Sequence, residues 1–122
     1  MDHLTLYHNP ACSHSRGALA LLTERGVSFE TIEYLKTPPA REALERIIAM
    51  LENPVADLVR KDKRFEELKL NAADYTTKET VIPLLLQHPE LMQRPIVIRG
   101  GHAIIARPAT LLENLFDPKP AQ

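Results

Sequence analysis

The chain has one cysteine, Cys12, and its position suits a reactive thiol. It follows the turn-forming pair Asn9-Pro10 and precedes an apolar repeat of helical period, so we expect it in the first turn of a helix. Unpaired N–H groups and the positive end of the helix dipole favour a thiolate there and lower the pKa of the thiol below about 8.5. His8, just before the turn, and Arg16, one helical turn further on, can each add positive charge. The pattern predicts a nucleophilic thiolate, against the alternative of a buried, inert cysteine.

Three other kinds of cysteine chemistry can be tested on spacing. A phosphatase-type anion loop needs an arginine where this chain has Ala18. A thioredoxin-type dithiol needs a second cysteine where this chain has Ser15. A metal site made of His8, Cys12 and His14 lacks a fourth ligand and would occupy the thiol, so we expect no bound metal.

The elements that would position Cys12 follow from the hydrophobic pattern. Leu4–Tyr7 has strand character, Ala11–Arg25 repeats with a helical period and stops at Gly26, and Val27–Leu35 alternates like a strand. A helix between two strands usually makes a right-handed crossover, which leaves the strands parallel.

The middle third, about residues 38–91, has helical patterns and no strand pattern. Four segments are indicated: one that opens at Thr37 and ends at Asn53-Pro54, two short pieces at Val55–Lys61 and Arg64–Leu70, and one from Thr76 to His88-Pro89. Thr76 and Glu79 have the spacing of a capping box for the last helix. Pro83 should kink that helix or shift its start.

The last third is predicted to form a hairpin and a final helix. Pro95–Arg99 and His102–Ala106 are rich in β-branched residues, and Gly100-Gly101 between them is a two-residue hairpin signal. An amphipathic helix should follow over about Ala109–Phe116, and Asp117–Gln122 should fray.

The hairpin register places Arg94 opposite Arg107. Like charges at opposed positions are unfavourable unless an anion lies between them. Both arginines precede proline, which holds their backbones extended, and a cis bond before Pro95 would accommodate that proline at the start of a strand. The pair indicates an oxyanion site, unless both side chains extend into solvent.

Composition restricts the class of protein. The 122 residues include 15 Lys+Arg and 16 Asp+Glu, for a net charge of −1, and 44% are hydrophobic. This composition is ordinary for one globular domain, 1–122, and argues against nucleic acid or an anionic membrane as partner. The chain has no apolar run long enough to span a membrane and no signal-like start, so we expect a cytoplasmic monomer.

Three separated motifs resemble the glutaredoxin-dependent arsenate reductase family. They are Tyr7–Arg16, Leu86–Pro89 continuing to Arg94–Val97, and Arg107-Pro108. The resemblance is colinear over roughly residues 4–116. It implies an α/β, thioredoxin-like fold of the form βαβ…ββα, with a mixed four-stranded sheet and a helical insertion at about 38–91.

The resemblance also implies roles for individual residues. By matching position, Cys12 corresponds to the nucleophile and His8 to the residue that tunes the thiol. Arg60, Arg94 and Arg107 correspond to the arginines that hold the oxyanion, although Arg60 alone reads as part of a solvated basic patch. Three residues are expected to support the site: Ser15, Arg16 and Pro95.

The implied reaction is attack of the thiolate on arsenate to give a covalent adduct, followed by release of arsenite. Because the chain has no second cysteine, an external thiol must resolve the adduct. By resemblance that thiol is glutathione, as co-substrate and not as a bound cofactor, with glutaredoxin as the protein partner.

Departures from the family pattern leave two alternatives open. Cys12–Ser15 and the apolar Ala103–Ala106 differ from the arsenate-resistance members, and the chain ends soon after its last predicted helix, as in a shorter, less characterised branch. One alternative is a monothiol glutaredoxin-like thiol reductase. The other is a non-catalytic redox regulator that binds the RNA polymerase alpha subunit, although Ser15 replaces the second cysteine that such a switch needs.

Overall fold

Four strands form one mixed sheet in the computed structural model, which describes residues 3–116. They are β1 (Leu4–His8), β2 (Glu30–Glu33), β3 (Ile96–Arg99) and β4 (His102–Ile105), in the order β2-β1-β3-β4. β1 is parallel to β2 and antiparallel to β3, and β3 is antiparallel to β4. The predicted mixed four-stranded sheet is confirmed.

The helices lie between β1 and β2, between β2 and β3, and after β4. The α-helices are α1 (Ser13–Glu24), α2 (Arg41–Met50), α3 (Lys63–Glu67) and α4 (Lys78–Gln87). Short 3₁₀ helices lie at Val55–Leu58, Ala72–Asp74, Pro89–Leu91 and Ala109–Leu115. α2, α3 and α4 lie between β2 and β3 and form the helical insertion. None of the helices in the described residues is long and apolar enough to cross a membrane.

The sheet separates two cores because successive side chains along a strand point to opposite faces. On one face, Leu6 and Val97 pack with Ala18 and Leu22 of α1. On the other face, the insertion covers a row of side chains, one from each strand, which we call the apolar row: Ile32, Tyr7, Ile96 and Ile105.

The hairpin has the predicted register. Ile96 pairs with Ile105 and Ile98 with Ala103. Gly100, at the turn, has a φ of +60°, a left-handed conformation that glycine adopts without steric cost. The ladder ends at Ile96–Ile105, two residues before the position of Arg94 opposite Arg107.

Several predicted element boundaries require correction. β2 covers Glu30–Glu33 instead of Val27–Leu35, because Val27 and Phe29 leave the ladder and pack into the core on the α1 side. The last helix is a 3₁₀ helix at Ala109–Leu115 and not an α-helix. The predicted end at Asp117–Gln122 lies outside the described residues.

The start of α4 also differs from the prediction. The capping box joins Thr77 and Thr80, one residue later than the predicted Thr76–Glu79 pair. Pro83 lies inside α4 and does not shift its start.

Candidate active site

The strand ends bring a second row of residues to one edge of the sheet. Each residue lies two positions beyond a member of the apolar row, toward the carboxyl end of β1, and therefore continues the same face. We call this set the edge row: Tyr34, Asn9, Arg94 and Arg107. The fold thus gathers residues that are far apart in sequence beside the turn that carries Cys12.

Cys12 is the N-cap residue of α1, with φ −98° and ψ 126°. Its backbone is held on both sides: its N–H donates to the Asn9 carbonyl at 3.0 Å, and its carbonyl accepts from Arg16 N–H at 2.9 Å. The Asn9 side chain shapes the turn, because its Oδ1 accepts from Ala11 N–H at 3.0 Å. The side chain of Cys12 is buried and the thiol is free.

The surroundings of Cys12 favour the thiolate. Burial raises the pKa of the thiol, but the backbone N–H groups of Ser15 and His14 and the Arg94 guanidinium together outweigh that effect. The net pKa of Cys12 lies below its ordinary value. Nη1 of Arg107 is 3.9 Å from the sulfur. The helix-terminus argument from the sequence and the arginines of the hairpin therefore act in the same direction.

His8 lies on the inner side of this turn and contacts Ser15. The His8 ring is buried, and its Nδ1 is 2.7 Å from Ser15 Oγ, which also accepts from Asn9 N–H at 2.9 Å. Burial lowers the pKa of His8, aided by Arg16 and opposed by Glu33. Burial favours the neutral ring and so acts against the positive charge that the sequence analysis expects His8 to add. Its contact fixes the turn through Ser15.

Arg94 and Arg107 are in direct contact, as the hairpin register predicts. Arg107 Nη1 donates to the Arg94 carbonyl at 3.0 Å, and Ala106 N–H donates to the Pro95 carbonyl at 2.9 Å. The peptide bonds Arg94–Pro95 and Arg107–Pro108 are both cis. Nε of Arg94 is buried and has no hydrogen-bond partner. Neither arginine extends freely into solvent, since both are partly buried.

A backbone pairing that no local sequence pattern predicts brings Arg60 toward the other two arginines. The isolated bridge between Val59 and Met92 aligns the insertion with the approach to β3. Arg60 N–H donates to the Leu91 carbonyl, and Gln93 N–H donates to the Leu58 carbonyl, both at 2.7 Å. The bridge lies outside the four strands, so the prediction of a helical middle third without a strand is confirmed.

The Arg60 side chain is paired with Asp62, whose Oδ2 lies 2.8 Å from Nη1. The other oxygen of Asp62 caps α3 by accepting from Phe65 N–H at 3.2 Å. Burial lowers the pKa of Arg60, and the charges of Arg94 and Arg107 lower it further. Arg94 and Arg107 are therefore close enough to Arg60 for their charges to repel it.

Tyr34 is a member of the site that the sequence analysis missed. It follows β2 immediately, is fully buried, and its hydroxyl has no hydrogen-bond partner. Burial raises the pKa of Tyr34, the charge of Arg94, the Asn9 side chain and the charge of Arg60 lower it, and the charge of Cys12 raises it. A tyrosine two residues after Ile32 on the same face was the available signal, but it required the true end of β2.

The remaining predicted residues lie around the turn. Arg16 donates from Nη1 to the Pro10 carbonyl at 2.9 Å and holds the turn from outside. His14 is exposed at the first turn of α1. Across residues 3–116 there is no group of three or more His, Cys, Asp or Glu side chains that could hold a metal ion.

Comparisons with known proteins identify the family of this chain. A model of the ArsC family matches residues 7–114. The chain is 41% identical over 119 residues to an arsenate reductase of Escherichia coli strain K12, covering 96% of this chain and 84% of that protein. It is 38% identical over 117 residues to an arsenate reductase of Neisseria meningitidis serogroup B, covering 94% and 97%.

A solved structure supports the fold in the same way. The arsenate reductase from Vibrio cholerae superposes with a TM-score of 0.82 at 34% identity, covering 92% of this chain and 96% of that one. The predicted α/β, thioredoxin-like architecture is confirmed.

Proposed function

The chain belongs to the ArsC family, and from that premise we propose that it is an arsenate reductase with Cys12 as its nucleophile. One observation carries the proposal: a cysteine whose thiol pKa is lowered lies beside Arg94 and Arg107, and both of these arginines act on the ionisation of Arg60 from the insertion. A structural cysteine has no need of such neighbours, whereas a thiolate that must approach an anion does.

The arginines supply the binding site for the substrate. Arsenate carries about two negative charges at neutral pH, and guanidinium forks bind tetrahedral oxyanions through paired N–H donors. The mutual repulsion of Arg60, Arg94 and Arg107 in the free protein is relieved when such an anion binds. The same contacts offset the repulsion between the anion and the thiolate.

The first chemical step is a displacement at arsenic. The Cys12 thiolate attacks, an As–S bond forms and an As–O bond breaks, and the oxygen leaves as water after taking a proton. Arsenic stays at the +5 level in this adduct. Ser15 and Arg16 support the step by holding the turn that presents Cys12, and the Pro95 carbonyl ties the start of β3 to the end of β4.

The reduction requires two electrons from two external thiols. We propose glutathione as the first thiol and a glutaredoxin cysteine as the second, because the chain has one cysteine and cannot form an internal disulfide. Glutathione bonds to arsenic through its sulfur as a second oxygen leaves as water, and the glutaredoxin thiolate then attacks that sulfur. The two thiols leave as a mixed disulfide, and their electron pair reduces the arsenic on Cys12 to the +3 level. Water breaks the remaining As–S bond, which releases arsenite and returns Cys12 to the thiolate. Such chemistry belongs in the cytoplasm, where thiols are kept reduced.

A coupled assay tests the proposal. The purified protein is incubated with arsenate, glutathione and glutaredoxin, and arsenite is measured together with oxidation of glutathione. We expect arsenite to form with all components present and to fall to background when arsenate, glutathione or glutaredoxin is omitted. Arsenite production no faster than in the protein-free mixture would refute the assignment.

A further inference from the structure

The hydroxyl of Tyr34 is buried without a hydrogen-bond partner, which is unusual for a polar group. Tyr34 has no exposed surface, and its Oη makes no hydrogen bond. The large majority of buried polar atoms are hydrogen-bonded, and one that is not destabilises the folded state. In the described residues, the other buried side-chain polar atom of this kind is Nε of Arg94. Both belong to the edge row.

The register explains why these two groups are neighbours of the same site. β2 runs parallel to β1, with Ile32 paired to Tyr7, and β3 runs antiparallel to it, with Ile96 paired to Tyr7. Continuing both pairings by two residues places Tyr34 and Arg94 on either side of the turn that leads to Cys12. Even side-chain spacing keeps them on the face that the insertion covers.

The charges around Tyr34 leave its proton without an acceptor. Arg60 and Arg94 are close enough to act on its ionisation, and a guanidinium offers donors and no acceptor. The Asn9 side chain lowers the pKa of Tyr34, which is the effect of a donor to the tyrosine oxygen and not of an acceptor for its proton; the carbonyl oxygen of that side chain accepts from Ala11 N–H. A hydroxyl in this setting acquires an acceptor when an anion enters among the arginines.

We propose that the Tyr34 hydroxyl is a fourth donor to the bound oxyanion, in addition to the three arginines. This inference rests on the proposed function and adds a neutral hydrogen-bond donor to an otherwise cationic site. Since the hydroxyl is closed to water in the free protein, the anion reaches it as the arginine side chains adjust to bind the other oxygens. The free protein then carries an unpaired group that binding satisfies.

The variant Tyr34→Phe tests this assignment because it removes the hydroxyl and keeps the ring. We expect sulfate, an unreactive tetrahedral dianion, to bind about tenfold more weakly by titration calorimetry, a loss of about 1.4 kcal/mol. The KM for arsenate in the coupled assay should rise by a similar factor. The thermal midpoint of the free variant should equal or exceed that of the wild type, because an unpaired buried hydroxyl is gone.

Tyr75→Phe is the matched control. Tyr75 is a half-buried tyrosine of the insertion that packs edge-on against Phe65, with ring centroids 6.2 Å apart. Its substitution should leave sulfate binding unchanged. The combination of weaker binding with undiminished stability in Tyr34→Phe is what a purely structural tyrosine does not produce.

The outcomes separate the inference from the proposed function. If the wild type binds sulfate and Tyr34→Phe binds it equally well, the fourth donor is refuted while arsenate reduction stands. A lower thermal midpoint in free Tyr34→Phe also refutes it, since the hydroxyl would then already be satisfied. If the wild type neither binds sulfate nor reduces arsenate, the proposed function falls, and this inference falls with it.

Discussion

Two adjacent rows of side chains at one face of the sheet differ in chemistry: one is apolar and packed, and the other is polar and charged. The apolar row, defined above, is buried or half-buried and packs against the insertion. The edge row, two residues further along each strand, contains two arginines and the unpaired buried groups Tyr34 Oη and Arg94 Nε. The apolar row lies within the four strands, and the edge row lies just beyond their ends.

Residues that stabilise the fold and residues that serve the proposed chemistry therefore lie about two positions apart along each strand. Burial of large apolar side chains in the first row stabilises the fold by about 1.5–3 kcal/mol for each residue. In the second row, like charges and unpaired donors oppose folding unless an anion is present. We therefore expect substitutions in the apolar row to act on unfolding, and those at the edge row and Cys12 to act on chemistry.

The largest expected effect is that of Cys12→Ser. Loss of the thiolate should reduce arsenite production to background in the coupled assay, because serine is not ionised at neutral pH and attacks arsenic poorly. The free energy of unfolding by urea should change by about 1 kcal/mol or less, since the change in volume is small. Arsenate reduction that persists in this variant would remove Cys12 from the mechanism.

Ile96→Ala should have the largest effect on stability. It truncates a fully buried member of the apolar row, and such truncations cost about 2–5 kcal/mol. Leu86→Ala, at a leucine of α4 that is 38% exposed, serves as control and should change stability by about 0.5 kcal/mol or less. Below its unfolding temperature, Ile96→Ala should keep the sulfate affinity of the wild type. A variant that is stable but no longer binds sulfate would show that the two rows are not separable.

Arg107→Ala reverses this pattern. It removes the guanidinium that lies 3.9 Å from the Cys12 sulfur and should weaken sulfate binding by about 1.5–3 kcal/mol, the range for hydrogen bonds to charged groups. Stability should change little or rise, because one of three mutually repelling charges is lost. Arg41→Ala, at an exposed arginine of α2, is the control and should bind sulfate normally. Unchanged sulfate affinity in Arg107→Ala would exclude this arginine from the site.

How much of this arrangement the sequence predicts depends on the range of the interactions. The position of Cys12 at a helix start follows from Asn9-Pro10 and the helical repeat behind it, which are local signals. The meeting of Arg94 and Arg107 follows from one tight turn, because a two-residue glycine turn determines the register of both strands. These features could be predicted because each depends on a short segment.

The features that could not be predicted depend on contacts between distant segments. Arg60 reaches the site through the pairing of Val59 with Met92, 33 residues apart, and no local pattern encodes that bridge. Tyr34 required the correct end of β2, which stops at Glu33 and not at the predicted Leu35. The burial that lowers the pKa of His8 could not be predicted either, because it depends on the folded core and not on the neighbours of His8 in sequence.

The smallest effect we predict is the pH dependence of the Cys12 thiol, in its reactivity and in its contribution to stability. The pKa of Cys12 is lowered because the N–H groups of α1 and the Arg94 guanidinium outweigh burial. The rate of alkylation by iodoacetamide should therefore reach half its maximum at a pH below about 8.5, the value for an ordinary thiol.

In the window between the folded and unfolded pKa values of Cys12 the unfolded state binds more protons, so the free energy of unfolding rises with pH. This stabilisation should be complete above the unfolded pKa, be lost as the pH falls through the folded pKa, and be absent from Cys12→Ser. An alkylation midpoint at or above that of a free thiol would mean that burial dominates. Cys12 would then act as a packing residue, like the apolar row, and not as a nucleophile.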